Sequence, residues 1–326
     1  MNWQELATRA VAGGGVSHDE ALAVLGSSDD ELLAVLQASF TVRHHYWGRG
    51  VRIHKLENAK SGMCRENCAF CSQAIGSYSG VDRYEVESAD QLLEGARRAH
   101  EGGAVKYCIV TATRGPSDRE LAVICEAVRR IKSEMPIEVC TSLGLLTDGQ
   151  ACRLAEAGVD RFNHNLETSD RYFPTICQTH TYEDRIRTLG TAREAGMEIC
   201  CGGIMGMGET WRDRVDLAFA LKEIGAESIP VNFLDPRPGT PLAGRPKMSP
   251  TEGLRCLAMF RFVNPSPEIR AAGGREVCLG SLQPLALYPA NSIFSGGYLT
   301  TGGQGGDEDR RMIEDAGFHV EALAPA

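Results

Sequence analysis

Four stretches of helical text in this chain end on glycine and run straight into an apolar, β-branched segment. Gly103 precedes Lys106-Tyr107-Cys108-Ile109-Val110, Gly158 precedes Val159, Gly196 precedes Ile199, and Gly225 precedes Ile229. Glycine ends a helix by taking a left-handed conformation that other residues resist, so the repeat is the grammar of βα units. Helix starts are marked as regularly. Ser88 with Gln91, Ser117 with Glu120, Thr147 with Gln150, and Ser249-Pro250 with Glu252 have the capping-box spacing, which satisfies two orphan backbone donors at once. Between these signals lie eight candidate strands, near 51–56, 106–113, 136–142, 159–164, 197–204, 227–233, 268–272 and 291–295. Eight strands alternating with helices close naturally as a TIM-type (β/α)8 barrel, and 326 residues suit one barrel of about 250 with extra ends. A doubly wound open sheet has the same local pattern, so periodicity leaves both open.

The ends can be read too. Residues 1–50 are expected to be a helical extension, with Ser17 to Glu20 and Ser28 to Glu31 each starting a short helix. Residues 51–300 would form the barrel and 301–326 a loop and last helix, where Gly302-Gly303 and Gly305-Gly306 spell either a surface turn or a lid. Hydrophobic residues at 43% and charged residues at 24% suit a large buried core. The 34 Lys and Arg against 43 Asp and Glu leave a net charge of −9 with no dense basic run, which argues against a nucleic-acid partner. No apolar run approaches the ~20 residues of a membrane span. Glu5 and Arg9 interrupt the start where a signal peptide needs an apolar core, so the expected compartment is the cytoplasm. Twelve cysteines there are not a disulfide framework, and point to metal or redox chemistry.

The cysteines are patterned. Cys64-Arg65-Glu66-Asn67-Cys68-Ala69-Phe70-Cys71 is a C-x3-C-x2-C run just after the first candidate strand, a spacing that chance gives in only about 2% of chains this rich in cysteine. Three thiolates in a tight loop can hold three irons of a [4Fe–4S] cluster and leave the fourth open to another ligand. Zinc would want a fourth Cys or His, and the neighbouring sequence offers poor choices. Cys108, Cys140 and Cys200 each sit inside a candidate strand, where a lone cysteine usually packs as a small apolar residue but three together invite a second cluster.

The loop spacing resembles the radical S-adenosylmethionine superfamily. In that superfamily the open iron is chelated by the cofactor's amino and carboxylate groups, and one-electron reduction yields a 5′-deoxyadenosyl radical. Phe70 matches a position that packs near the adenine, and Gly202-Gly203-Ile204-Met205-Gly206-Met207-Gly208-Glu209 is similar to the glycine-rich strand that contacts the adenosyl part. From about residue 50 to 317 the chain further resembles the biotin synthase family. The supporting blocks are Asn163-His164-Asn165-Leu166-Glu167-Thr168-Ser169, Pro230-Val231-Asn232-Phe233, Gly239-Thr240-Pro241-Leu242, Gly273-Gly274-Arg275-Glu276 and Ala290-Asn291-Ser292-Ile293-Phe294.

That resemblance implies that Cys108, Cys140, Cys200 and Arg270 hold a [2Fe–2S] cluster on the second, third, fifth and seventh strands. A guanidinium lacks a free lone pair, so Arg270 as a ligand is carried from the family alone. Asn165 and Glu167, where many members have Asp, match contacts to the cofactor ribose. Arg185 matches a residue near its carboxylate, although a solvated helix face explains it nearly as well. Asn163 and Asn232 match residues that hold the ureido ring of dethiobiotin, and alternation would set 163, 165 and 167 on one wall. His164 and Cys201 should face the other way, and Cys125, Cys152, Cys177, Cys256 and Cys278 read as packing residues. The implied reaction inserts sulfur into dethiobiotin after two hydrogen abstractions, with the [2Fe–2S] cluster as donor. A flavodoxin or ferredoxin and a homodimer are implied partners. Two alternatives stay open: another radical enzyme on the same barrel, and a noncatalytic zinc or iron–sulfur binding protein.

Overall fold

The computed structural model describes residues 1–300 and 302–322. Its strands are β1 (Gly50–Lys60), β2 (Lys106–Thr111), β3 (Glu138–Ser142), β4 (Arg161–Asn163), β5 (Glu198–Cys200), β6 (Gly203–Met205), β7 (Ser228–Phe233), β8 (Glu268–Ala271), β9 (Ser292–Phe294) and β10 (His319–Val320). The order β1-β2-β3-β4-β5-β7-β8-β9 is parallel throughout, and β9 pairs back onto β1, so the sheet closes as an eight-stranded barrel rather than an open sheet. The fifth barrel strand is split in two, and β6 pairs β7 beyond the break. At the break a Cβ on Gly202 would stand 1.9 Å from the Pro230 carbonyl oxygen, closer than any side chain tolerates.

Capping boxes form at Ser88, Ser117 and Thr147 as expected, with two more at Thr181–Asp184 and Thr210–Asp213. At Ser249 only half forms. The hydroxyl accepts the Glu252 N–H, but the Glu252 carboxylate turns to Arg214 at 2.6 Å. Gly158 and Gly225 take the left-handed conformation that ends their helices.

The N-terminal extension holds three helices where two short ones were expected. Trp3–Val11 starts at an Asn2 cap, and His18–Leu25 has its box at Ser17. Ser28 opens only a turn of 3-10 helix, Asp29–Glu31, which passes into the 16-residue helix Leu32–Trp47 because no Gly or Pro interrupts it before Gly48. These helices pack on the barrel helix Pro250–Val263, whose residues from Gly253 to Val263 are all buried. A helix covered on every side can be apolar all round. The other unforeseen element is β10, which adds in parallel to Gly50 and Val51 at the start of β1.

Under the ring of inner thiols the barrel floor is ionic. Glu268 is fully buried and takes Arg52 at 3.2 Å, Arg161 at 3.5 Å, Arg270, and the His54 imidazole at 3.0 Å, while the Ser228 and Ser292 hydroxyls donate to it. Burial works against its charge, yet His54, Arg270 and Arg161 hold the carboxyl well below the usual carboxylate range. Burial keeps His54 itself neutral.

Candidate active site

Strand alternation sends Cys108, Cys140 and Cys200 inward while their neighbours face the helices. Cys108 lies opposite Cys140 across β2 and β3, and Cys200 lies opposite Asn163 across β4 and β5. The three pack together with Ala272 and Phe294 inside the barrel, whereas Cys201 joins the outer core, as alternation requires. Their neighbours shift the thiols: Cys140 lowers Cys108, while Cys140 and Cys200 are pushed up. Three buried thiols grouped in this way suit a metal cluster better than isolated packing residues.

Arg270 closes the ring. Its Nη1 stands 3.8 Å from the Cys200 sulfur, and the guanidinium lies over the Phe294 ring at 4.8 Å. Nη2 donates to the Ser228 hydroxyl at 2.7 Å and to Glu268, while Nε is buried with no partner among the described residues. Such an orphaned donor beside three thiols fits an anionic cluster.

Nearer the mouth, the loop after β1 carries Cys64, Cys68 and Cys71. Its backbone is fixed by Ala69 N–H donating to the Ile176 carbonyl at 2.8 Å and by Asn67 Oδ1 accepting from Gln178 N–H at 2.9 Å. Cys68 is buried and the other two half-buried. Burial raises the Cys64 thiol and pushes Cys71 up to about 11, so a cation is needed to hold them as thiolates.

A cavity of about 280 Å³ joins the two regions. Cys68, Phe70 and Cys71 line its outer part, the inner thiols and Arg270 its base, and Asn163, Asn165, Glu167, Arg185, Ile204 and Asn232 its sides. Cys64, Gly202 and Gly203 are not on its wall. The two glycines act by close backbone approach, since a Cβ on Gly203 would meet the Glu167 carbonyl at 2.5 Å.

The shared wall of 163, 165 and 167 exists, but strand alternation does not make it. β4 ends at Asn163, and Glu167 turns inward through a positive φ of 69°. Asn165 Oδ1 accepts from Gly202 N–H at 3.1 Å and from the Asn163 amide at 3.2 Å. Asn163 also donates to the Cys200 sulfur at 3.3 Å. Asn232 is tied to the Gly203 carbonyl and the Gly273 N–H. Burial raises the Glu167 carboxyl to about 7 even with Arg185 3.7 Å away. Arg185 is not on a solvated helix face. It is buried, with its guanidinium 5.2 Å over the Phe173 ring, because its helix turns that side toward the cavity. His164 is buried and neutral, so a structural role suits it.

Cys125, Cys256 and Cys278 are buried packing residues, but Cys152 is exposed on its helix. Cys177 does more than pack. Its sulfur is 3.8 Å from that of Cys68, and Cys68, Cys177 and His180 bring their donor atoms within 4.8 Å of one another. Cys177 and His180 thus reach Cys68 from about 110 residues away in the sequence. No short-range motif could have announced them.

The chain matches the Radical SAM superfamily over residues 60–221 and the Biotin and Thiamin Synthesis associated domain over residues 230–319. It is 57% identical to a biotin synthase of Salinibacter ruber, over 97% of this chain and 88% of that one. It is 49% identical to a biotin synthase of Bacillus subtilis, over 98% and 96%. The chain belongs to the biotin synthase family. Solved structures of more distant sequence share the fold of this biotin synthase family member. A methylornithine synthase superposes with a TM-score of 0.86 at 18% identity, covering 97% of both chains. An FeFe-hydrogenase maturase from Carboxydothermus hydrogenoformans gives 0.83 at 16%, covering 99% of this chain and 80% of its own.

Proposed function

We propose that the two cysteine sets serve as separate centres of one sulfur-insertion reaction on dethiobiotin. As a member of its family the chain is a radical S-adenosylmethionine sulfurtransferase that carries out the last step of biotin biosynthesis. Cys64, Cys68 and Cys71 would hold a [4Fe–4S] cluster, and Cys108, Cys140 and Cys200, with Arg270, a [2Fe–2S] cluster. When bound, the first supplies with S-adenosylmethionine a 5′-deoxyadenosyl radical and the second a sulfur atom.

The chain's own residues bind, orient and exclude water. Arg185 offers a buried cation for the cofactor carboxylate, and Asn165 and Glu167 offer polar atoms for its ribose. Phe70 gives an aromatic face for the adenine, Ile204 lines the cavity beside it, and Gly202 and Gly203 let the split strand pack closely on the Pro230 and Glu167 backbone behind. Asn163 and Asn232 present amides suited to a ureido ring. Ala272 and Phe294 keep the inner chamber apolar, which protects reactive carbon from solvent.

The observation that carries this reading is that Cys68 and Cys71 of the loop and all three inner cysteines line one cavity. Anaerobic reconstitution should load about six irons per chain and yield biotin from dethiobiotin. Cys140→Ala should lose biotin formation and the second cluster but still cleave S-adenosylmethionine to methionine and 5′-deoxyadenosine. Loss of cleavage as well would contradict separate duties, and no cleavage in the parent chain would favour a noncatalytic metal protein.

The same reading takes an external one-electron donor such as a flavodoxin or ferredoxin, a homodimer, and the cytoplasm, where twelve free thiols stay reduced. Among the described residues no helix is long and apolar enough to cross a membrane. We propose the division into a helical extension (1–50), a barrel (51–300) and a C-terminal loop and helix (301–326), of which residues 301 and 323–326 lie outside the described residues.

A further inference from the structure

Between the cluster loop and Arg185 stands a buried histidine to which the reaction as described gives no task. His180 Nε2 accepts the Nε–H of Arg185 at 2.9 Å, so its ring proton sits on Nδ1, which donates to Glu66 Oε2 at 2.6 Å. Glu66 lies between Cys64 and Cys68 and is itself held by Arg114 at 3.1 Å and by the Thr179 hydroxyl. At the other end Arg185 Nη1 donates to the Asn165 carbonyl and faces Glu167. One unbroken chain of polar contacts therefore joins the loop that carries three cysteines to the wall that would carry the cofactor. His180 is its middle link.

We propose that His180 is a positioning residue that sets Arg185 against the cofactor carboxylate and ties its place to the cluster loop. The proposal rests on the cofactor-binding reading of Arg185 given above. An arginine held only by its stem would sample several rotamers, and fixing one of them costs side-chain entropy at the moment of binding. With Nε bound to His180 and Nη1 to the Asn165 carbonyl, the guanidinium plane is set before the ligand arrives. Because His180 also grips Glu66, a shift of the loop shifts Arg185 with it. His180 is not a ready metal ligand despite lying near Cys68 and Cys177, since both ring nitrogens are engaged.

The test compares two variants of similar bulk in the reconstituted chain. His180→Gln can still accept from Arg185 and donate to Glu66; His180→Leu can do neither. S-adenosylmethionine affinity is read by equilibrium binding, alongside iron content and turnover at saturating cofactor. H180L should bind the cofactor about 10-fold more weakly, the loss expected for one hydrogen bond to a charged group. Its iron content and saturated turnover should stay near those of the parent, and H180Q should recover most of the affinity. Equal affinities in all three chains would overturn the proposal, as would equal losses in both variants. An H180L chain that fails to fold or to take up iron would overturn it too, by showing the histidine to be architectural. A parent chain that binds no S-adenosylmethionine would instead remove the underlying functional reading.

Discussion

Glu167 combines a left-handed backbone with a buried carboxyl, two features that each oppose folding. Its proton is held to about 7 in the folded chain against an ordinary value of 4.5. A raised folded value means that the folded state binds the proton more tightly. This stabilisation is complete below about pH 4.5 and disappears as pH climbs through about 7. Glu167→Gln should flatten that decline, leaving the cluster-free variant on the order of 3 kcal/mol less sensitive to the change from pH 5 to pH 8. Urea titrations at the two pH values measure it, and parallel curves for parent and variant would refute the assignment. Much of the residue-scale chemistry was legible. The Cys64 loop is local, and strand alternation separated Cys200 from Cys201. Glu66, Cys177 and His180 were not legible, because their contacts link positions about 110 residues apart and nothing short-range encodes them. For Arg185 the alternative of a solvated face stayed open for a related reason: on helical text one polar face looks like another until a cavity lies beneath it.

For whole elements, the caps and glycines predicted where helices begin and end, since those signals are satisfied within four residues. What failed needed a distant partner. The Ser249 box is incomplete because Arg214 competes for Glu252, and the fifth strand breaks at Gly202, where the Pro230 carbonyl of the neighbouring strand leaves no room for a side chain. Strand β10 is two residues long and has no pattern of its own. Two outcomes follow at this scale. Thr147→Ala removes a cap whose oxygen accepts the Gln150 N–H, and should cost about 1 kcal/mol in urea denaturation without altering iron uptake. Gly202→Ala should cost more than about 3 kcal/mol or block folding, because the Pro230 backbone of the neighbouring strand must move. An alanine chain as stable as the parent would mean that the split strand is not set by this contact.

At the level of the whole molecule, stability and reaction share the barrel floor. Glu268 compensates Arg52, Arg161 and Arg270, and removing one member of a buried ionic group leaves the others uncompensated. Glu268→Gln keeps the shape and deletes the charge, so the cluster-free chain should lose about 3 kcal/mol in urea denaturation. A midpoint unchanged from the parent would show that the arginines find other partners. The eight strands were countable in the sequence, while the floor was not, because Glu268 and Arg270 share β8 but their partners Arg52, His54, Arg161, Ser228 and Ser292 come from four other strands. That packed ionic plug has a logistical result. The fully buried His54, Glu268 and Arg270 close off the lower side of the chamber, while the cluster loop lines its outer part. On the proposed reading, product would leave past the same loop by which fresh inorganic sulfur would reach the deep thiols, so that repair and turnover would take turns.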